Sequence, residues 1–157
     1  MVHIIIGCDH AGFEVKQEVF EALERLECHY EDIGVFSNDS KHYPRIAKKV
    51  CKEILNRDSE LNSKYDFGIL ICGSGTGMAI AANRFNGIRA ALCYDTYSAT
   101  MARVDNNCNI LCLRAREFDT TKYYDIIKAF ITSHPSEEKR HIRRVELLDE
   151  IVEEEEF

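Results

Sequence analysis

The most chemically suggestive stretch of the chain is Cys72-Gly73-Ser74-Gly75-Thr76-Gly77-Met78, which follows an apolar run and leads into the helix-prone Ala79-Ile80-Ala81-Ala82-Asn83. Three glycines at alternate positions leave backbone N–H groups unobstructed. A following helix adds its positive end, so the loop suits an anion or a developing oxyanion. The spacing excludes two nucleotide loops. A dinucleotide fingerprint needs Gly or Ala at 78, where Met stands, and a Walker A loop needs a Gly-Lys-Ser/Thr that is absent here. Gly7 and Gly12 have P-loop separation, yet Phe13-Glu14 follow in place of Lys and a hydroxyl residue. On composition alone, a tight turn explains the glycine loop about as well as an anion site does.

Cys72 stands at the mouth of that loop, where a helix N-terminus can favour a thiolate that acts as base or nucleophile. A buried strand-end cysteine is the competing reading. Asp9-His10 ends the first apolar run and supplies one acceptor and one titratable donor, with Asp9 as a plain helix N-cap the alternative. Lys139, Arg140, His141, Arg143 and Arg144 form the dense basic cluster of the chain. Arg140 and Arg144 are four apart, so one helix face can present two guanidinium forks to a phosphate, or simply balance neighbouring glutamates in solvent. Arg114 and Arg116 follow a strand end and are candidates for a second phosphate contact or for bare surface.

Alternating elements must position these groups. The run at 4–8 leads through a loop to Val15, Val19, Leu23 and Leu26 at helical spacing. A β-rich run at 28–33 follows, then a helix opened by Pro44 with Ile46, Val50 and Ile54 on one face, then a strand at 67–72. Strands at 88–93 and 109–113 alternate with helices at 96–104 and 119–133, and a terminal helix over about 136–154 is expected to fray at its acidic end. This alternation predicts a parallel α/β sheet covered on both faces. Cys8, Cys72 and Cys93 fall at the C-terminal ends of the strands, the edge where open parallel sheets bind ligands. The polar stretch 57–64 reads as a surface loop.

The chain has 157 residues, suited to a single domain over 1–157, and a net charge of −7. An acidic balance disfavours wholesale binding to nucleic acid or an anionic membrane, so any anion must meet local cations. No apolar stretch approaches the roughly 20 residues of a membrane span. With no secretory signal apparent, the default expectation is the cytoplasm. Seven scattered cysteines match neither a disulfide framework nor a zinc site and read as free thiols.

Several motifs coincide: Gly7-Cys8-Asp9-His10-Ala11-Gly12, Tyr43-Pro44, Gly68-Ile69-Leu70-Ile71 running into Cys72 to Met78, Ala81-Ala82-Asn83, Gly87-Ile88-Arg89-Ala90-Ala91-Leu92-Cys93 and Arg140-His141-Ile142-Arg143-Arg144-Val145. Together they resemble the type B ribose-5-phosphate isomerases, a family that also contains the galactose-6-phosphate isomerase subunits. The resemblance spans about residues 3 to 150. It implies a Rossmann-like three-layer α/β/α sandwich with a five-stranded parallel sheet, acting as a homodimer or dimer of dimers. Active sites would lie at the subunit interface and use no metal or organic cofactor. The implied reaction interconverts ribose 5-phosphate and ribulose 5-phosphate through a cis-enediolate. Cys72 would be the base, and Ser74 with the amides of Gly73, Gly75, Thr76 and Gly77 the anion hole. Asp9 and Asn106 would meet sugar hydroxyls, and His10, Arg116, Arg140 and Arg144 the phosphate.

Three positions depart from the family pattern. Asp105 stands where a histidine credited with ring opening is usual, His42 where Asp precedes Tyr-Pro, and Arg114 where glycine is usual. An ionised carboxylate is a weaker base than imidazole, so the sequence alone predicts slower opening of the cyclic sugar. A six-carbon sugar-phosphate isomerase and a non-catalytic sugar-phosphate-binding paralogue are the rival readings. Retention of Cys72 and Ser74 weighs against the second, because a pure binder has no use for a base beside an anion hole.

Overall fold

The computed structural model describes residues 1–34, 42–56 and 65–153, with the side chains of 152 and 153 left aside. The expected surface loop at 57–64 and the end of the acidic tail lie outside the described residues. Five strands, β1 (His3–Cys8), β2 (His29–Asp32), β3 (Phe67–Cys72), β4 (Ala90–Leu92) and β5 (Ile110–Arg114), form one parallel sheet in the order β2-β1-β3-β5-β4. The three inner strands carry the unbroken apolar runs, because a parallel strand covered on both faces has no side open to water. Ile4, Ile5, Ile6, Leu70, Ile71, Ile110, Leu111 and Leu113 are all fully buried. The outer strand β2 alternates exposed and half-buried residues instead.

Helices α1 (His10–Phe13), α2 (Lys16–Arg25), α3 (Tyr43–Leu55), α4 (Thr76–Ala82), α5 (Thr96–Val104), α6 (Tyr123–Thr132) and α7 (Lys139–Glu153) fill the connections. The pair α3 and α4 packs together on the inner strands, with Ile46, Ala47, Val50, Cys51 and Ile54 as the buried stripe of α3. On the other side α6 packs against both α2 and α5. This is the three-layer α/β/α sandwich that the alternating pattern and the resemblance imply.

Several boundaries differ from the sequence pattern, each for a local reason. The loop expected after β1 forms the single turn α1, capped by Asp9, before α2 starts at Lys16. The strand expected over 88–93 shortens to Ala90–Leu92, because the Arg89 amide donates to the Asn109 side chain at 2.9 Å rather than to a strand partner. The helix expected over 119–133 opens as a 3-10 turn, Thr120–Lys122, capped by Asp119, before α6 begins. The terminal helix begins at Lys139 rather than 136.

All seven cysteines are free, as expected for a chain without a disulfide framework. Burial pushes the thiols of Cys51 and Cys93 up to about 12 and that of Cys108 to about 11, from an ordinary 9.0. Fully enclosed Cys112 is raised as well. Below pH 9 these thiols are protonated in both folded and unfolded chains and affect nothing. Above it the unfolded thiols ionise while the folded ones hold their protons. The unfolded state then binds fewer protons, and stability falls as pH rises, by at most about 1.4 kcal/mol per pH unit for each thiol. The urea midpoint is therefore expected to drop steeply between pH 9 and 11. A midpoint that stays level across that window would contradict the burial of these thiols.

Candidate active site

Parallel register brings the first group of candidates to one edge. Cys72 is paired with Arg114 across β3 and β5, and Cys8 with Ile71 across β1 and β3, so these strands end side by side. The Asp9 amide then donates to the Ile71 carbonyl at 3.1 Å, which holds Asp9 beside the end of the Cys72 strand. Asp9 and Cys72 are both nearly buried, at 7% and 5% exposed. Asp9 Oδ1 accepts from the amides of Ala11 and Gly12 at 2.9 and 3.1 Å, so the N-cap reading of this residue is what its Oδ1 does. Gly12 serves packing. A Cβ there would lie 2.8 Å from the Ile71 carbonyl oxygen and 2.7 Å from Cys8 Cβ, so only glycine lets α1 close against β3. His10 opens α1 with Nδ1 buried and unbonded among the described residues, an exception among buried polar groups that calls for a partner.

The glycine loop is shaped by what approaches it. Gly75 has φ +77 and is the N-cap of α4, a left-handed conformation that glycine adopts without strain. Gly75 has no side chain to cap α4, so beyond the Thr76 amide the first-turn amides have no side-chain partner among the described residues. Gly73 lies under Arg116, whose Nη1 would be 3.3 Å from a Cβ, and Gly77 lies under the Tyr43 ring at 2.9 Å. The amides of Ala115 and Arg116 donate to the Gly73 carbonyl at 3.2 and 2.9 Å, tying the loop to the end of β5. Exposed Ser74 offers its Oγ to the Thr76 amide at 3.3 Å. Arg114, the extra cation, turns its Nε to the Arg116 carbonyl at 2.6 Å, so it braces the turn that carries Arg116. Cys72, Ser74, Asp9, His10 and Arg116 thus share one edge, with Tyr43 as a further wall that the Tyr-Pro motif marked only for resemblance.

The second group lies elsewhere. Helix α5 starts beyond the end of β4 and runs back for nine residues, about 13 Å, to deliver Asp105 and Asn106 at the edge where the strands begin. Arg103 fixes this turn. Its guanidinium is buried against the Phe67 and Phe130 rings, and Nη1 donates to Asn107 Oδ1 at 2.9 Å and to the Cys108 carbonyl at 2.6 Å. Asp105 Oδ1 is 3.3 Å from His141 Nδ1 on α7, a contact that nothing in the linear spacing of the basic cluster marks. Asn106 is exposed and lines a cavity with Asn83, Arg89, Leu148 and Asp149. On the same helix Arg140 pairs with Glu138 at 2.7 Å and Arg143 with Glu150 at 2.7 Å, while Arg144 is exposed. Within one chain, therefore, Asp105, Asn106, Arg140 and Arg144 are not assembled with Cys72. Among the described residues no cluster of three or more His, Cys, Asp or Glu is arranged to hold a metal ion.

Comparison with known proteins identifies the family of the chain. Residues 4–148 match the model of the family described as Ribose/Galactose Isomerase. The ribose-5-P isomerase B of Listeria innocua is 40% identical over 148 residues, 94% of this chain and 95% of its own. A crystal structure of a ribose 5-phosphate isomerase from Thermotoga maritima, 44% identical, superposes with a TM-score of 0.86 over 95% of this chain and 98% of its own. The type B enzyme of Leishmania infantum, 40% identical, reaches a TM-score of 0.90 over 98% and 99% of the two chains. The chain belongs to the ribose/galactose isomerase family.

Proposed function

We propose that this protein interconverts ribose 5-phosphate and ribulose 5-phosphate, with each active site assembled from two copies of the chain. The observation that carries the reading is the placement of Cys72 at the mouth of the glycine loop that opens α4, beside Asp9 and under the reach of Arg116. A C–H bond next to a carbonyl is weakly acidic, so its proton leaves only to a positioned base, with fixed donors aimed at the oxygen where charge develops. The Cys72 thiolate takes the proton from C2 of the open-chain aldose. The cis-enediolate is held by Ser74 and the amides of Gly73, Gly75, Thr76 and Gly77, and the thiol returns the proton to C1. Asp9 holds sugar hydroxyls through the oxygen left over from capping, and His10 and Arg116 meet the phosphate.

Asn106, Arg140 and Arg144 reach this centre from a second copy. Exposed apolar side chains are available to such an assembly: Ile80 on α4 is 59% exposed, Tyr97 on α5 73% and Ile151 on α7 68%. The direct test mixes purified protein with ribose 5-phosphate and follows ribulose 5-phosphate. Cys72→Ala is expected to abolish turnover while leaving sugar-phosphate binding largely intact, because the side chain acts on a C–H bond and adds little to ground-state binding. Bound substrate should also slow alkylation of Cys72. Near-normal turnover of the variant would remove Cys72 from the mechanism.

Replacing Arg140 or Arg144 with Ala removes a charge-assisted contact worth about 1.5–3 kcal/mol, so the affinity for the sugar phosphate is expected to fall about ten-fold or more. Calorimetry on the two variants reads this directly. Wild-type affinity in both would make the cluster a solvated helix face.

A further inference from the structure

We propose that His141 is the group that opens the cyclic sugar, a catalytic residue held in orientation by Asp105. The inference rests on the isomerase reading above and adds a residue to it. Ring opening needs a base for the anomeric hydroxyl and an acid for the ring oxygen. A carboxylate ionised at neutral pH supplies only the first, and weakly, whereas an imidazole exchanges both roles near neutrality. His141 stands against Asp105, the position where the resemblance expects that imidazole. Its Nδ1 lies 3.3 Å from Asp105 Oδ1, and its side chain is 12% exposed between α5 and α7. The negative charge beside Nδ1 favours the ring proton on that nitrogen over Nε2, whose lone pair is then the one a base requires.

Among the described residues no donor takes that lone pair. Nε2 is 4.0 Å from Glu138 Oε2, beyond hydrogen-bonding distance, and among the described residues it is neither bonded nor buried. Neighbouring residues place it well. His141 follows Arg140 and precedes Arg144 by three residues on α7, while Asp105 precedes Asn106, so the pair joins the two segments that this edge contributes to the composite site. The step balances. Nε2 accepts the anomeric hydroxyl proton, and the bond from C1 to the ring oxygen breaks with its electron pair going to that oxygen as C1 becomes a carbonyl. The imidazolium then returns the proton to the ring oxygen.

The test separates ring opening from chemistry at C1 and C2. Ribulose 5-phosphate cannot close the corresponding ring, so incorporation of deuterium from D2O at its C1 reads the Cys72 step alone. In His141→Gln, conversion of ribose 5-phosphate is expected to fall about a hundred-fold and to stop scaling with protein concentration, because spontaneous opening in solution becomes limiting. Deuterium exchange into ribulose 5-phosphate should continue at the wild-type rate. Asp105→Ala leaves the imidazole in place and should show a smaller loss on the aldose side, with little further loss when combined with His141→Gln. Added imidazole should restore aldose conversion to His141→Ala. Unchanged conversion in His141→Gln would overturn the assignment, as would exchange and conversion falling together, since that is what a merely structural pair would do. A wild-type protein that shows no exchange at all would instead overturn the isomerase reading and Cys72, and His141 with them.

Discussion

The site depends on one constraint, the parallel pairing of β3 between β1 and β5. Parallel hydrogen bonding fixes which residues end level with one another, and here it sets Cys72 against Arg114 and Ile71 against Cys8. The next residue of each chain segment then has nowhere to go but over the same edge: Asp9 onto the Ile71 carbonyl, Ala115 onto the Cys72 carbonyl. Burial of the inner strands on both faces holds this register, because a one-residue slip would turn apolar side chains between layers that are already filled. A thiol, a carboxylate and a cation are thereby held together by the core itself.

Glycines convert that shared edge into a cleft. Each removes a Cβ where another group has to come close: α1 against Ile71 at Gly12, Arg116 at Gly73, the Tyr43 ring at Gly77. Gly75 differs, since its backbone conformation is itself the requirement. The loop is therefore both a set of open amides and a packing surface, and a substitution in it perturbs the neighbours before it touches a ligand.

Much of this was legible in the sequence because the signals were local. The apolar runs at 4–8, 67–72 and 109–113 match β1, β3 and β5 to within a residue, and Pro44 marks the first turn of α3. Boundaries set by side chains reaching across the fold were not legible: Asn109 delays the start of β4 by taking the Arg89 amide, and no periodicity encodes a bond between residues 20 apart. Cys72 and its loop stood out because glycine spacing is a linear pattern. The Asp105 contact with His141 joins residues 36 positions apart in two helices, and the spacing of the basic cluster pointed only at the phosphate arginines.

The same topology that gathers Cys72 and Asp9 also separates them from Asp105. A parallel strand must be followed by a crossover, so α5, leaving the ligand edge after β4, has to end at the opposite edge before β5 can begin. No rotamer change inside one chain spans that distance. Charge leads to the same arrangement. In a chain of net charge −7 the guanidinium groups proposed for the phosphate are divided, Arg116 at one edge and Arg140 with Arg144 at the other, and Arg140 is already matched by Glu138. In the proposed reading a doubly charged phosphate meets all three only where the two edges come together. In the proposed assembly, association of two copies and recognition of the phosphate are therefore one event, and a lone chain holds a base without the charge needed to bring its substrate there.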